Sequence, residues 1–227
     1  MALTKHVAIT ALFITLFLLS TILLIGRVMN DQRQDAIDSR IERLHTDLAE
    51  IQTFFLLSEV YGDEMACLTF DRKIRDFDRS IWDLGIRLDQ YRAASEEFTK
   101  SEFYLEQKRV FNENQLIYMT LLRSLKDRCT FDQPIVAYFY TNSSACSKCD
   151  DQAHVLTAIN TRMGDDVAIF SYDLELGITS IELLARYYEA DTDLPCTVVE
   201  GETFCGIHSR QQLMEAICET SRSEHCP

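Results

Sequence analysis

The 227-residue chain has few residues that interrupt regular structure, with three Pro and seven Gly. These counts exclude collagen-like and low-complexity chains, and the 47% of hydrophobic residues excludes wholesale disorder. Basic residues are also scarce, because 22 Lys and Arg stand against 36 Asp and Glu and give a net charge of −14. Since binding to phosphates requires an excess of Lys and Arg, we expect no nucleic-acid partner.

Cysteine is abundant instead, with eight residues, an even number. Such a chain either works where disulfides persist or binds metal. His154 follows Cys149 by five residues, but no other His shows the spacing of a metal ligand. We therefore expect disulfides, no metal site and no cofactor.

Residues 7–25, VAITALFITLFLLSTILLI, form an apolar run without a charge. As a helix rising 1.5 Å per residue the run spans about 28 Å, close to the hydrocarbon core of a bilayer. A cleaved signal peptide is the alternative, but the run is long for a signal peptide and no small-x-small cleavage pattern follows it. We expect an uncleaved transmembrane anchor over residues 7–26, in contact with the lipid bilayer.

The basic residues around this run leave its orientation ambiguous. Lys5 stands alone before the run, and Arg27, Arg33 and Arg40 follow it, so the count alone places the C-terminal side in the cytoplasm. Long following domains, however, translocate largely regardless of charge, and the cysteine pattern favours an oxidising compartment. We expect a single-pass membrane protein whose C-terminal domain is extracytoplasmic.

Residues 28–129 contain no Pro and carry apolar residues at heptad spacing. The pattern predicts a coiled-coil-like helical stalk of three antiparallel helices, interrupted at Gly62 and near residues 93–97. The three apolar stripes are Ile37, Ile41, Leu44, Leu48, Ile51 and Phe55; Phe70, Ile74, Phe77, Ile81, Leu84, Leu88 and Tyr91; and, less regularly, Leu105, Val110, Phe111, Ile117, Leu121 and Leu125.

A disulfide between the second and third of these helices follows from their predicted pairing. In an antiparallel pair, residues equidistant from the connecting turn lie side by side. The midpoint of Cys67 and Cys129 is residue 98, at the edge of the predicted turn. We therefore predict a Cys67–Cys129 bond that staples the stalk.

From residue 133 the pattern changes to alternating strands and helices. IVAYFY (135–140) indicates a buried strand, and the sequon Asn142-Ser143-Ser144 follows it. Next come Cys146-Ser147-Lys148-Cys149 and a helical stretch that ends at Gly164. A second strand, a second helix, Leu194-Pro195, a hairpin and a last helix complete the order.

This order, with a CxxC motif after the first strand and a proline directly before a hairpin, resembles the thioredoxin-like superfamily over residues 133–220. The resemblance implies an α/β thioredoxin-like domain in which Cys146 and Cys149 exchange disulfides. It also implies that Pro195, preceded by Leu194, forms a cis bond and packs against the active-site cysteines. Residues 221–227 form a tail beyond the domain.

The chemistry of a CxxC motif depends on its thiolate, the form that exchanges disulfides. We expect Cys146 at the N-terminal cap of the helix, where free backbone N–H groups and the helix dipole stabilise negative charge. Lys148 adds a positive charge, and Cys149 is placed to resolve a mixed disulfide. Asp150 and Asp151 oppose the thiolate.

The remaining four cysteines are predicted to form two bonds. If Glu200-Gly201 form a two-residue turn, Cys196 lies opposite Cys205, and we expect a structural disulfide there. The rival interpretation is that Cys196 is a third redox thiol that exchanges with Cys146. Elimination leaves Cys218 and Cys226 as a pair that ties the tail to the last helix.

Two functional hypotheses follow from these patterns. The first is a membrane-anchored extracytoplasmic thiol–disulfide oxidoreductase that acts on protein thiols and disulfides. The second is a non-catalytic adaptor with a static Cys146–Cys149 bond. In the adaptor, the thioredoxin-like domain binds peptides and the stalk binds a membrane-protein partner.

Overall fold

The structure is a computed structural model that describes residues 2–129, 133–141, 146–221 and 223–226. Asn142 of the sequon lies outside the described residues. The main elements, in chain order, are α1 (Ala2–Tyr61), α2 (Asp63–Ala94), α3 (Glu96–Thr99), α4 (Glu102–Cys129), β1 (Ile135–Tyr140), α5 (Cys149–Met163), β2 (Ala168–Asp173), α6 (Thr179–Tyr187), β3 (Cys196–Val199), β4 (Glu202–Cys205) and α7 (Arg210–Glu219). The chain divides into a unit Met1–Arg40 and a compact unit Ile41–Pro227.

The N-terminal unit belongs to one continuous helix, α1, which includes the apolar run. By length and composition this helix could cross a membrane, and a signal sequence near the N-terminus passes the same test. The predicted anchor over residues 7–26 lies within this helix, which continues through Gly26 to Tyr61. A glycine inside a helix costs only about 1 kcal/mol relative to Ala, too little to end it. Gly62, with φ of +91°, ends α1 as predicted.

The first two predicted stripes form the core of the helical segment. Every described member is less than 9% exposed except Phe55, which is half-buried. The side chain of Phe70 lies outside the described part of the chain. The heptad spacing therefore identified the buried faces of α1 and α2.

The third stripe was partly wrong, because Leu105 and Ile117 are 43% and 39% exposed. The buried face of α4 includes a heptad series that contains tyrosines and polar residues: Tyr104, Lys108, Phe111, Gln115, Tyr118, Leu122 and Leu125. The spacing of aliphatic residues does not reveal this series, because Lys108 and Gln115 occupy two of its positions. Their polar groups find partners on the sheet.

Helices α2 and α4 are antiparallel, as predicted. The ring centroids of Phe77 and Tyr118 are 4.4 Å apart, and those of Tyr91 and Tyr104 are 6.4 Å apart. In the middle of α4, Nδ2 of Asn114 lies 3.2 Å from Nε2 of His45 on α1. Arg128, near the end of α4, contacts Ser58 and Glu59 further along α1, so the part of α1 from residue 41 runs parallel to α4.

The four strands form one mixed sheet in the order β2-β1-β3-β4. β1 pairs with β2 in parallel and with β3 antiparallel, and β3 and β4 form an antiparallel hairpin. The predicted hairpin register is confirmed, because Val199 pairs with Glu202 and Cys196 with Cys205. Helices α5 and α7 cover one face and share an apolar core that includes Val136, Leu156, Ile159, Leu213 and Ile217.

Helix α4 lies along the open edge of β2 and satisfies its backbone. The N–H of Ser171 donates to Oε1 of Gln115 at 2.7 Å, and the N–H of Asp173 donates to Oδ1 of Asn112 at 2.9 Å. Backbone donors on an edge strand otherwise need water or another chain. The helical segment from residue 41 is therefore part of the same compact unit as the sheet.

Candidate functional site

The CxxC motif follows the inner strand β1, and its second cysteine is the first residue of α5. Cys146 and Cys149 are joined by a disulfide with a Cα–Cα distance of 5.4 Å. Both residues are buried, with 6% and 2% exposure. Ala145, directly before the motif, lies outside the described residues.

The expectation that Cys146 occupies the helix cap is wrong by two residues. Lys148 is the N-cap of α5, and Cys149 is the first helical residue. The reason is a turn before the helix, in which the Cys149 N–H donates to the Cys146 carbonyl at 3.3 Å. The next bond, from Gln152 N–H to Lys148 carbonyl at 3.1 Å, has helical spacing.

Tyr138 on β1 holds the first residue of α5 by a hydrogen bond. Its hydroxyl donates to the carbonyl of Cys149 at 2.6 Å, and its ring stacks on Tyr140 with centroids 5.2 Å apart. Burial raises the pKa of Tyr138, so the hydroxyl stays protonated and remains a donor. The second cysteine is thus held by both the sheet and the helix.

Pro195 lies at the same end of the sheet as the CxxC. It directly precedes Cys196, which pairs with Phe139 near the carboxyl end of β1. Pro195 is buried, Leu194 is half-buried, and the bond between them is cis, as the resemblance implies. The topology therefore brings the proline loop to the end of the strand from which the CxxC loop departs.

The hairpin disulfide fixes this proline loop. Cys196 and Cys205 face each other with Cα atoms 4.0 Å apart and are bonded. One residue further, the N–H of Gly206 donates to the carbonyl of Pro195 at 2.7 Å. Cys196 is fully buried, so the structure presents it as a bonded core residue.

Exposed charges flank the motif on its solvent side. Lys148, Asp150 and Asp151 are all exposed, the last two in the first turn of α5. Carboxylates in a first helical turn interact favourably with the helix dipole. They therefore stabilise α5 while opposing a thiolate at the CxxC.

Gln152 connects the CxxC helix to the loop after β4. The side chain is fully buried, and its Oε1 accepts a hydrogen bond from the N–H of His208 at 2.8 Å. Its Nε2 has no partner among the described residues. This loop also contains Gly206, so the CxxC helix and the proline loop are linked through two hydrogen bonds.

A buried ion pair lies at the carboxyl ends of β1 and β2. Lys108 on α4 bonds to Asp173, with side chains 8% and 1% exposed, and its ammonium lies 5.3 Å from the ring centroid of Tyr140. Burial disfavours the charged ammonium, but Tyr140, Tyr104 and Asp173 outweigh it, so the pKa of Lys108 is raised. Burial raises the pKa of Tyr140 to about 12. The pair ties α4 to the strands next to the CxxC.

The other two disulfides join elements outside this site. Cys67–Cys129 connects the start of α2 to the end of α4, and Cys218–Cys226 connects α7 to the tail. The four pairings are those expected from the sequence, and they leave no free cysteine.

Sequence reasoning missed Tyr138, Gln152 and the Lys108–Asp173 pair. For Gln152 a signal existed, because it precedes Leu156 and Ile159 on the buried stripe of α5. A polar residue in an apolar stripe next to a CxxC marks a candidate site residue. The Tyr138 hydroxyl contact has no such signal, since it depends on where α5 begins.

Within the described ranges, no cluster of three or more His, Cys, Asp or Glu side chains could hold a metal ion. Comparison with known protein families gives no match, and no curated protein matches the chain. The function is therefore inferred from the geometry of the disulfide, the proline loop and Gln152.

Proposed function

We propose that this protein is a membrane-anchored thiol–disulfide oxidoreductase with a thioredoxin-like catalytic domain outside the cytoplasm. The observation that carries the proposal is the Cys146–Cys149 disulfide between the inner strand and α5, at the same end of the sheet as Pro195. The parallel β1–β2 pair and the β3–β4 hairpin support the thioredoxin-like assignment, since they place these two loops together.

The proposed reaction transfers two electrons between the cysteine pair and a protein substrate. In the reducing direction, the Cys146 thiolate attacks a substrate disulfide and releases one substrate thiolate. The Cys149 thiolate then attacks Cys146 Sγ, which closes the Cys146–Cys149 bond and releases the second substrate thiolate. Each released thiolate takes a proton from water, and the oxidising direction is the reverse sequence.

Two observations support the proposed location. The apolar helix has the length and composition of a membrane span. All eight cysteines are paired, and disulfides form and persist in oxidising compartments. A membrane-impermeant protease added to intact cells should therefore digest the domain, and full protection would place it in the cytoplasm.

The activity is tested with the full chain in detergent and a small aromatic disulfide that releases a coloured thiolate. With a thiol reductant present, the wild type should turn over, and Cys146→Ser should abolish turnover. The matched control is Cys218→Ser with Cys226→Ser, which removes a disulfide outside the site and should remain active. An inactive wild type with intact fold would refute the proposal.

The burial of both CxxC cysteines favours the adaptor as the second candidate. Cys146 is only 6% exposed, and a sulfur that substrates cannot reach would be structural. The reduction potential of the pair separates the two functions. Structural bonds lie below about −300 mV, and exchanging ones lie above that value.

A further inference from the structure

Gln152 is a fully buried polar side chain next to the CxxC. It lies three residues after Cys149 on α5. Side chains at i and i+3 share a helix face, and helical side chains lean toward the N-terminus. The Gln152 side chain therefore lies over the turn that begins with Cys149.

Only one half of the Gln152 amide has a hydrogen-bond partner. Oε1 accepts from the N–H of His208, while Nε2 has no partner in the part of the chain that the structure describes. A buried N–H group without an acceptor is destabilising and rare in folded proteins. The donor is therefore suited to an acceptor that appears in another state of the protein.

We propose that Gln152 Nε2 donates a hydrogen bond to the sulfur of Cys149 when the Cys146–Cys149 disulfide is reduced. In the structure the two sulfurs are bonded to each other. Reduction by two electrons breaks this bond and leaves Cys149 as a buried thiol or thiolate. A buried thiolate needs a donor because its charge has lost the solvation of water.

Several other polar groups near the CxxC are already occupied or exposed, and Thr197 Oγ1, which is also buried without a partner among the described residues, belongs to β3 rather than to the helix of Cys149. The hydroxyl of Tyr138 donates to the Cys149 carbonyl, and the ring of His208 lies 3.1 Å from the carbonyl of Cys205. The neighbouring charged residues are both exposed to solvent: Lys148 and Asp150. The free amide donor on α5 is thus the group suited to the resolving sulfur.

This role rests on the proposed function and assigns Gln152 to its second step. There the Cys149 thiolate attacks Cys146 Sγ, the bond from Cys146 to the substrate breaks, and the substrate leaves as a thiolate. The Gln152 hydrogen bond increases the fraction of Cys149 present as thiolate before the attack. It is lost once the Cys146–Cys149 bond has closed.

The test uses the full chain with Cys146→Ser, in which Cys149 is the only free thiol. The pH midpoint of Cys149 ionisation is read from thiolate absorbance in the ultraviolet. Adding Gln152→Met should raise this midpoint by about one pH unit, which is the effect of one hydrogen bond to a charged group. A midpoint equal to that of the parent would overturn the proposal.

The matched control is Gln115→Met, which makes the same change at another buried glutamine. Gln115 is 2% exposed and accepts from the N–H of Ser171 on β2, so both variants remove an acceptor for a backbone donor. The Gln115→Met variant should leave the Cys149 midpoint unchanged. If both variants shift the midpoint equally, the effect is general destabilisation and the proposal fails.

A measurement on the wild type keeps the proposal testable if Gln152→Met does not fold. In the wild type, the side-chain amide NMR signal of Gln152 should shift on reduction, and an unchanged signal would contradict the proposal. Neither this measurement nor the titration needs a substrate, so loss of turnover in the wild type would refute the oxidoreductase function separately.

Discussion

Replacement of Lys108 by Met tests the buried ion pair that joins α4 to the sheet. The change keeps the aliphatic stem but leaves the carboxylate of Asp173, which is 1% exposed, without its counter-ion. Removing one partner of a buried pair costs about 3–5 kcal/mol, because the remaining charge is desolvated and uncompensated. We expect the free energy of unfolding to fall by this amount.

The companion variant Lys108→Met with Asp173→Asn separates the unpaired charge from lost packing. The amide introduced in place of the carboxylate is neutral and can still accept from the N–H of Glu175, as Asp173 does at 3.0 Å. We expect the double variant to recover most of the loss. The assay is denaturant unfolding in detergent, with Arg92→Met as control, because its ion pair with Asp89 is more exposed and worth under about 1 kcal/mol. A double variant as unstable as Lys108→Met would refute the reasoning.

Three further predictions concern stability. Replacing Cys67 and Cys129 by Ala opens a loop with a sequence separation of 62. The free energy of unfolding, measured with denaturant, should fall by roughly 4 kcal/mol, and a fall of less than about 1 kcal/mol would contradict this prediction. Cys205→Ser should lower the free energy of unfolding by roughly 2–3 kcal/mol, while Cys146 still reacts with a small disulfide. Rapid alkylation of Cys196 in a Cys146→Ser variant would instead identify Cys196 as a redox thiol. Burial raises the pKa of Asp78 from 3.8 to about 6, so the fold favours its protonated form. Its stabilising contribution is present below about pH 4 and is lost as pH rises through 6, by at most about 3 kcal/mol. Asp78→Asn should remove this pH dependence in unfolding titrations, and an unchanged dependence would exclude Asp78 as its source.

The sequence predicted those parts of the fold that depend on local periodicity. Stripes of aliphatic residues placed the cores of α1 and α2, and the Glu200-Gly201 turn determined the hairpin register down to Cys196 and Cys205. These features depend on spacing along one segment. They do not require knowledge of a distant partner.

The parts that were missed depend on contacts between segments. Lys108 and Gln115 look like surface residues until the edge of β2 supplies a carboxylate and a backbone donor for them. The helix cap was misplaced because spacing does not show at which residue the first helical hydrogen bond forms. The free amide of Gln152 becomes visible only when its surroundings are known.

The position of α4 along β2 has a consequence for the way the sheet can meet other extended chains. An uncovered strand edge is a template to which another extended chain can add. Asn112 and Gln115 block that addition at the β2 edge. The opposite edge is β4, only four residues long with an exposed Glu202 at its start. Both edges of the sheet are therefore poor templates for an added strand, which protects the domain from aggregating through its sheet edges.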